Sequence, residues 1–431
     1  MLSAILVLLI GCCILQTAGP LSLAEMAAHL GLGGAGPGGP PDAGAGRVVM
    51  AEDAEGAEGR DGAGDADGAV LGPAQLKLIQ DYMDAYFGSL AKLEVDFPDA
   101  LFALGNGAQA ERDRAVWEIA VGIRKMQVVD LRLARYSYKM VCTRVDQEGD
   151  GDVTVHLVEN NVQNFREYPG VDSESRNIDH RFTLTQEDGT WYIAGHGGGG
   201  AVSRLVARRP GHPTDIDVLD EVESVPEMIE LVLGDAEENV VQRVLQDHFA
   251  ETTAPAVMHA YDREAAVAYA VEWCFTRNPK WPVYDDEGGN CANFTSQCLL
   301  AGGIPMDYRG PSERQWKWYG ETANYSQRPR GRSPSWASVD WFHRYATSNI
   351  GFGLVCEADA PYYSGEPGDV LQLGFLGDWR HNVLITEVIR GRDGSVIDYL
   401  VCSNTADQRD FPASAYLYTM QRVIKVWGWR E

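Results

Sequence analysis

Positive charge is scarce in this sequence: 36 Lys and Arg stand against 62 Asp and Glu, for a formal net charge of −26. The deficit is uneven, because the stretch from Tyr261 to Glu431 carries about −4 and the remainder about −22 by the same count. Nucleic-acid phosphates require a clustered basic face, so a nucleic-acid partner is not expected. Cysteine is also sparse. The eight thiols form no CxxC pair and no Cys/His cluster of zinc spacing, which argues against a metal centre, and the chain is too long for a disulfide scaffold. No cofactor is implied. Apolar runs of spanning length are missing too: Leu2–Leu15 is the longest candidate, too short for a secure membrane helix and suited to the core of a signal peptide. Leu9-Ile10-Gly11-Cys12 within it resembles a bacterial lipobox, with Cys12 the residue to be lipidated. An exported, cell-surface or extracellular protein is the expectation.

Five segments follow from composition. Residues 1–19 are the signal-like stretch. Residues 20–72 are rich in Gly, Ala, Pro, Asp and Glu and bury too little to offset their ordering entropy, so they read as a disordered acidic spacer. Ordered sequence is predicted from Pro73. Leu76, Ile79, Tyr82, Met83 and Tyr86 recur at helical spacing, and Ala115–Met126 gives a second helix. Strand-like runs come next at Leu131–Arg144, Val153–Glu159, Arg181–Gln186 and Thr190–His196, punctuated by Asp-Gly turns. Helices followed by a curved antiparallel sheet over 73–200 resemble an NTF2-like or cystatin-like cone, read as an accessory module in which His180 and His196 are structural strand-end histidines. Residues 201–255 read as an acidic helical connector. Residues 256–431 have the length and apolar content for a core of their own.

The informative string is Gly288-Gly289-Asn290-Cys291-Ala292-Asn293-Phe294. Two glycines turn the chain sharply, and a helix is predicted from Cys291 to Ala301 before Gly302-Gly303. A thiol at a helix N-terminus has its thiolate stabilised by free backbone N–H groups, which can also donate to an oxyanion. Cys291 is therefore the exposed nucleophile and Cys298 the buried structural thiol. His381, entering an apolar strand after Gly368-Asp369, is the candidate base, and His343 reads as structural. Asn404, at the end of the Tyr399–Cys402 strand, is the candidate for orienting the imidazole, with Asp407 the alternative. Tyr284 could donate to an oxyanion or simply pack. Asn293 and Trp336 are candidate substrate contacts. The Asp285-Asp286-Glu287 turn reads as solvated rather than calcium-binding.

These residues resemble the Putative amidase domain family of bacterial proteins, within the papain-like superfamily related to NlpC/P60 and CHAP domains. The resemblance rests on Tyr261-Asp262-Arg263, the Gly-Gly-x-Cys-x-Asn-Phe string, Ser335-Trp336, Gly368-Asp369 and His381. This chain has Asn290 where the family more often has Asp, and Ala292 where Thr is frequent. The resemblance implies an α+β fold and a cysteine-dependent amidohydrolase acting through a thioester, on amide or peptide bonds such as those of cell-wall peptides. A non-catalytic surface-binding module with a vestigial site is the other reading. Oligomeric state is not legible.

Overall fold

The computed structural model describes residues 44–50, 71–148, 151–207, 222–249, 256, 259–319 and 331–431. The signal-like stretch, Cys12 and most of the acidic spacer lie outside them. One part of the spacer is a correction: Ala45–Met50 is a strand, β1, paired in parallel with the next strand from Ala45↔Ser137 to Met50↔Cys142. Val48, Val49 and Met50 supply the apolar side chains that the surrounding Gly/Ala/Asp sequence lacks, and Val48 is buried.

Helix α1 (Pro73–Lys92) begins with Pro at its first position, and the Gln75 side chain accepts the Gly72 N–H at 2.8 Å. Helix α2 covers Gly107–Lys125. Four antiparallel strands follow, β2 (Leu133–Gln147), β3 (Val153–Phe165), β4 (Ser173–Glu187) and β5 (Thr190–Gly198). Each begins near its predicted start except β4, and β2, β3 and β4 run longer than their sequence patterns. The expected connector provides α3 (Ala201–Val206) and α4 (Val225–Phe249). These pack on α2 through Val202, Leu205, Val232 and Ala236, together with Phe375 from the distant C-terminal sheet.

The C-terminal region opens with β6 (His259–Ala260) and α5 (Arg263–Trp273), whose N-cap Asp262 accepts from the Ala265 N–H at 3.0 Å. Helix α6 is Cys291–Ala301, with the bounds that the sequence predicts. A two-stranded ribbon, β7 (Trp318–Tyr319) with β8 (Gly331–Arg332), precedes α7 (Pro334–Ala337) and α8 (Val339–Ser348). Strands β9 (Gly353–Ala360), β10 (Val370–Phe375), β11 (Asp378–Arg390), β12 (Val396–Ser403), β13 (Asp407–Pro412) and β14 (Met420–Arg430) complete the chain.

The architecture is α+β, with a largely antiparallel sheet, but the predicted division near residue 200 does not interrupt that sheet. Strand β13 pairs with β4 (Gln408↔Ser175), so twelve strands run continuously in the order β1-β2-β3-β4-β13-β12-β11-β10-β14-β6, with β5 on β4 and β9 on β14. Alternation along the C-terminal strands gives that half two apolar faces. Val370, Leu384, Cys402 and Ile424 meet α5, α6 and α8 on one side. Leu371, Leu373, Val383, Ile385, Val401 and Val423 merge on the other with the core of the N-terminal half.

Candidate active site

A cavity of about 1000 Å³ lies against the seam between the two halves, lined by Cys291 and His381 and also by Tyr82, Glu159, His180 and His196. The wall that carries Cys291 is built by the predicted loop-helix string. Gly288 (φ 101°) and Gly289 (φ 114°) are left-handed, a conformation that a Cβ would strain. They deliver Cys291 to the first position of α6. Contrary to the expected exposure, Cys291 is only 6% accessible and its thiol faces the cavity. Burial raises the thiol pKa, while the main-chain N–H groups of Asn382, Ala292 and Cys291 itself act in the opposite direction. Burial wins, so the resting thiol is protonated.

His381 is placed by β11, opposite Leu373 of β10. The ring lies 6.0 Å from those of Tyr416 and Tyr418, nearly parallel to the latter. It is 4% exposed, and its Nε2 is buried without a hydrogen-bond partner among the described residues. Burial first, and then the Arg204 guanidinium, push its pKa down to about 3. The ring is therefore neutral at neutral pH. The next residue, Asn382, ties the two candidates together. Its amide accepts from Gln372 Nε2 at 2.9 Å and donates to Thr295 Oγ1 at 3.3 Å, one turn beyond Cys291 on α6. Gln372 Oε1 is itself held by Arg422 at 2.7 and 2.9 Å.

The remaining predicted site residues lie elsewhere. Asn404 does not reach His381: its Nδ2 donates to the Trp273 and Cys274 carbonyls at 2.9 and 2.7 Å, and its Oδ1 accepts from Asn290 at 2.9 Å. It closes the end of α5 and anchors the loop that precedes Cys291. Asp407 binds Arg277 and Asn177, each at 2.9 Å, although it does line the cavity. Asn293 and Trp336 bond each other at 2.7 Å in the interior and are both fully buried, so they are packing rather than substrate contacts. Tyr284 is 1% exposed beneath the Arg332 guanidinium, 3.8 Å from its ring, and is absent from the cavity wall. His343 pairs with Asp359 at 2.9 Å. Cys298 is wholly buried.

Two residues read as structural join the cavity instead. His180 Nε2 lies 2.7 Å from Glu159 Oε2, and His180 Nδ1 lies 3.0 Å from His196 Nε2. His196 Nδ1 in turn meets Tyr82 Oη at 3.1 Å and Asp113 Oδ1 at 3.3 Å. Asn161 donates to Glu159, and Gln163 donates to Asn161. The signal was present in β3: Val153, Val155, Leu157, Glu159, Asn161, Gln163 and Phe165 share one face and are all buried. A polar interval on an otherwise apolar face marks a place where the core opens.

Residues 260–428 match the family described as Putative amidase domain. The chain is also similar to YhbB, an uncharacterized protein of Bacillus subtilis (strain 168), at 35% identity over 149 residues. That likeness covers 35% of this chain and 43% of the relative, less than half of either. No solved structure matches the chain.

Proposed function

We propose that the protein is a cysteine-dependent amidohydrolase in which Cys291 is the nucleophile and His381 its general base. The observation that carries this reading is the unpartnered Nε2 of a buried histidine, lining the same cavity as a thiol on the first residue of a helix. With both groups neutral at rest, His381 takes the Cys291 proton as sulfur attacks the amide carbon, and no preformed ion pair is involved. The main-chain N–H groups of Ala292 and Asn382, which act on the Cys291 thiol, are assigned as the oxyanion donors. Collapse breaks the C–N bond, His381 returns the proton to the departing amine, and water then hydrolyses the thioester. The Thr295–Asn382–Gln372–Arg422 chain replaces the expected Asn404 as the device that fixes nucleophile against base.

Amide and peptide bonds are the substrate class. The signal-like N-terminus and the superfamily resemblance make cell-wall peptides outside the cell the first to try. The test is a single-turnover reaction with a peptide panel, followed by intact-mass detection of a hydroxylamine-labile adduct on Cys291. Both Cys291→Ala and His381→Ala should abolish hydrolysis. Turnover that survives Cys291→Ala would overturn the assignment, and a cavity that binds peptides without any adduct would favour the binding-module reading.

A further inference from the structure

Arg124 is an anomaly of the N-terminal half. It sits at the end of α2, is 3% exposed, and lines the cavity. Its Nε donates to the Ala415 carbonyl at 3.3 Å and its guanidinium lies 5.4 Å from the Phe165 ring, yet Nη1 is buried with no partner. Among the described residues no carboxylate pairs with it. A guanidinium held this way is costly unless something negative completes it. Burial already pulls its pKa down to about 10, which still leaves it charged at neutral pH.

Its position relative to the thiol is informative. Ala415, which holds Arg124, is followed by Tyr416, whose ring lies 6.0 Å from His381. Arg124 and the proposed catalytic pair thus line one and the same cavity. The cavity also offers acceptors: among the described residues, Gln163 Oε1 and Gln408 Oε1 are both buried without partners and belong to residues lining it. Asn161, Ser175 and Gln408 form a row across β3, β4 and β13. An unpaired cation beyond two unfilled N–H acceptors matches a peptide-like chain that ends in a carboxylate. About 1000 Å³ accommodates a few residues of such a chain.

We infer that Arg124 forms a carboxylate-recognition subsite, so that the preferred substrates are short amides bearing a free carboxylate a few bonds from the scissile carbonyl. This rests on the amidohydrolase reading for its link to catalysis, whereas the anion site itself is a property of the cavity. The guanidinium holds the carboxylate in a two-pronged ion pair, and the glutamine carbonyls accept the intervening amide N–H groups. The site makes the enzyme act near a chain end.

The probes are N-chloroacetyl amino acids and dipeptides with free carboxylates, beside the matching carboxamides. Alkylation joins the Cys291 sulfur to the chloroacetyl carbon and expels chloride. In the full chain the acids should label Cys291 at least tenfold faster than the carboxamides at one chain length, with saturation. Arg124→Gln should erase that preference, and Arg124→Lys should restore part of it. Arg204→Gln is the control, since Arg204 also lines the cavity. Equal rates at every length, or a preference lost only in Arg204→Gln, overturn the proposal. Calorimetric titration of Cys291→Ala with the corresponding N-acetyl acids and amides separates the two readings. An inert thiol beside selective acid binding sinks the amidohydrolase alone, and acids that bind no better than amides sink the Arg124 subsite alone.

Discussion

Cutting the chain before the C-terminal region exposes the buried face of a sheet, and the cost can be worked out. A chain beginning at Thr253 keeps α5, α6 and α8 over one face of β10–β12 and β14. It loses what covers Leu371, Leu373, Val383, Ile385, Val401, Phe411 and Val423, each at most 3% exposed in the whole protein. Complete exposure of such a side chain forfeits about 1.5–3 kcal/mol. The set together forfeits roughly 10–20 kcal/mol as an upper bound, against the ~5–15 kcal/mol that holds a typical domain. Strand β13 also loses β4, leaving an unpaired edge. The truncated chain should therefore lack near-ultraviolet circular dichroism, bind a hydrophobic dye and aggregate, and co-expression with residues 44–252 should rescue it. A cooperative melt of the truncated chain, with dispersed amide resonances, would refute this reasoning. The outcome reverses what length and composition alone suggest for residues 256–431.

Other consequences can be checked individually. Cys298→Ser, at a wholly buried position in the apolar core, should destabilise by about 1–3 kcal/mol in denaturant melts through an unsatisfied hydroxyl, while Cys291→Ala should cost much less. Because burial raises the Cys291 thiol pKa and lowers that of His381 to about 3, alkylation by iodoacetamide should climb steadily above pH 8. A plateau spanning pH 5–8, the sign of a thiolate–imidazolium pair, would contradict the neutral resting state. The depressed His381 pKa also means that the unfolded chain binds a proton between its ordinary value near 6.5 and about 3, so stability falls as pH drops through that window. His381→Gln should flatten the decline, and an imidazole resonance titrating near pH 6.5 would rule it out. Asn404→Ala should lower the melting temperature by uncapping α5, without altering the pH profile of Cys291 alkylation.

The legible parts of this protein were local. Paired glycines before and after it place α6 to the residue, because each signal is contained within one turn of chain. The register of β13 against β4 leaves no such trace, since the partners are more than 230 residues apart and neither strand shows in sequence which edge it will join. Asn404 failed as the orienting residue for a related reason: its placement at a strand end was readable, but the α5 carbonyls that claim its amide arrive from another part of the chain. β1 was missed because three apolar residues were averaged into a Gly/Ala/Asp background. Glu159, Asn161 and Gln163 show period-two spacing, yet a polar residue on a strand is ordinarily assigned to solvent, and only the apolar residues flanking them on the same face argue otherwise.

The paired histidines of the N-terminal half impose a parity rule. A single proton occupies the 3.0 Å link between His180 Nδ1 and His196 Nε2. When it belongs to His196, His180 donates to Glu159 while His196 Nδ1 accepts from the Tyr82 hydroxyl, which is itself supplied by Trp117 Nε1 at 3.1 Å. When it belongs to His180, His196 must turn its other N–H toward Asp113. The chain thus has a polarity with two settings, and a change at the Glu159 end reassigns the donor at Asp113. Strand β3 and helix α2 are joined by proton order alone, with no atom heavier than hydrogen required to move.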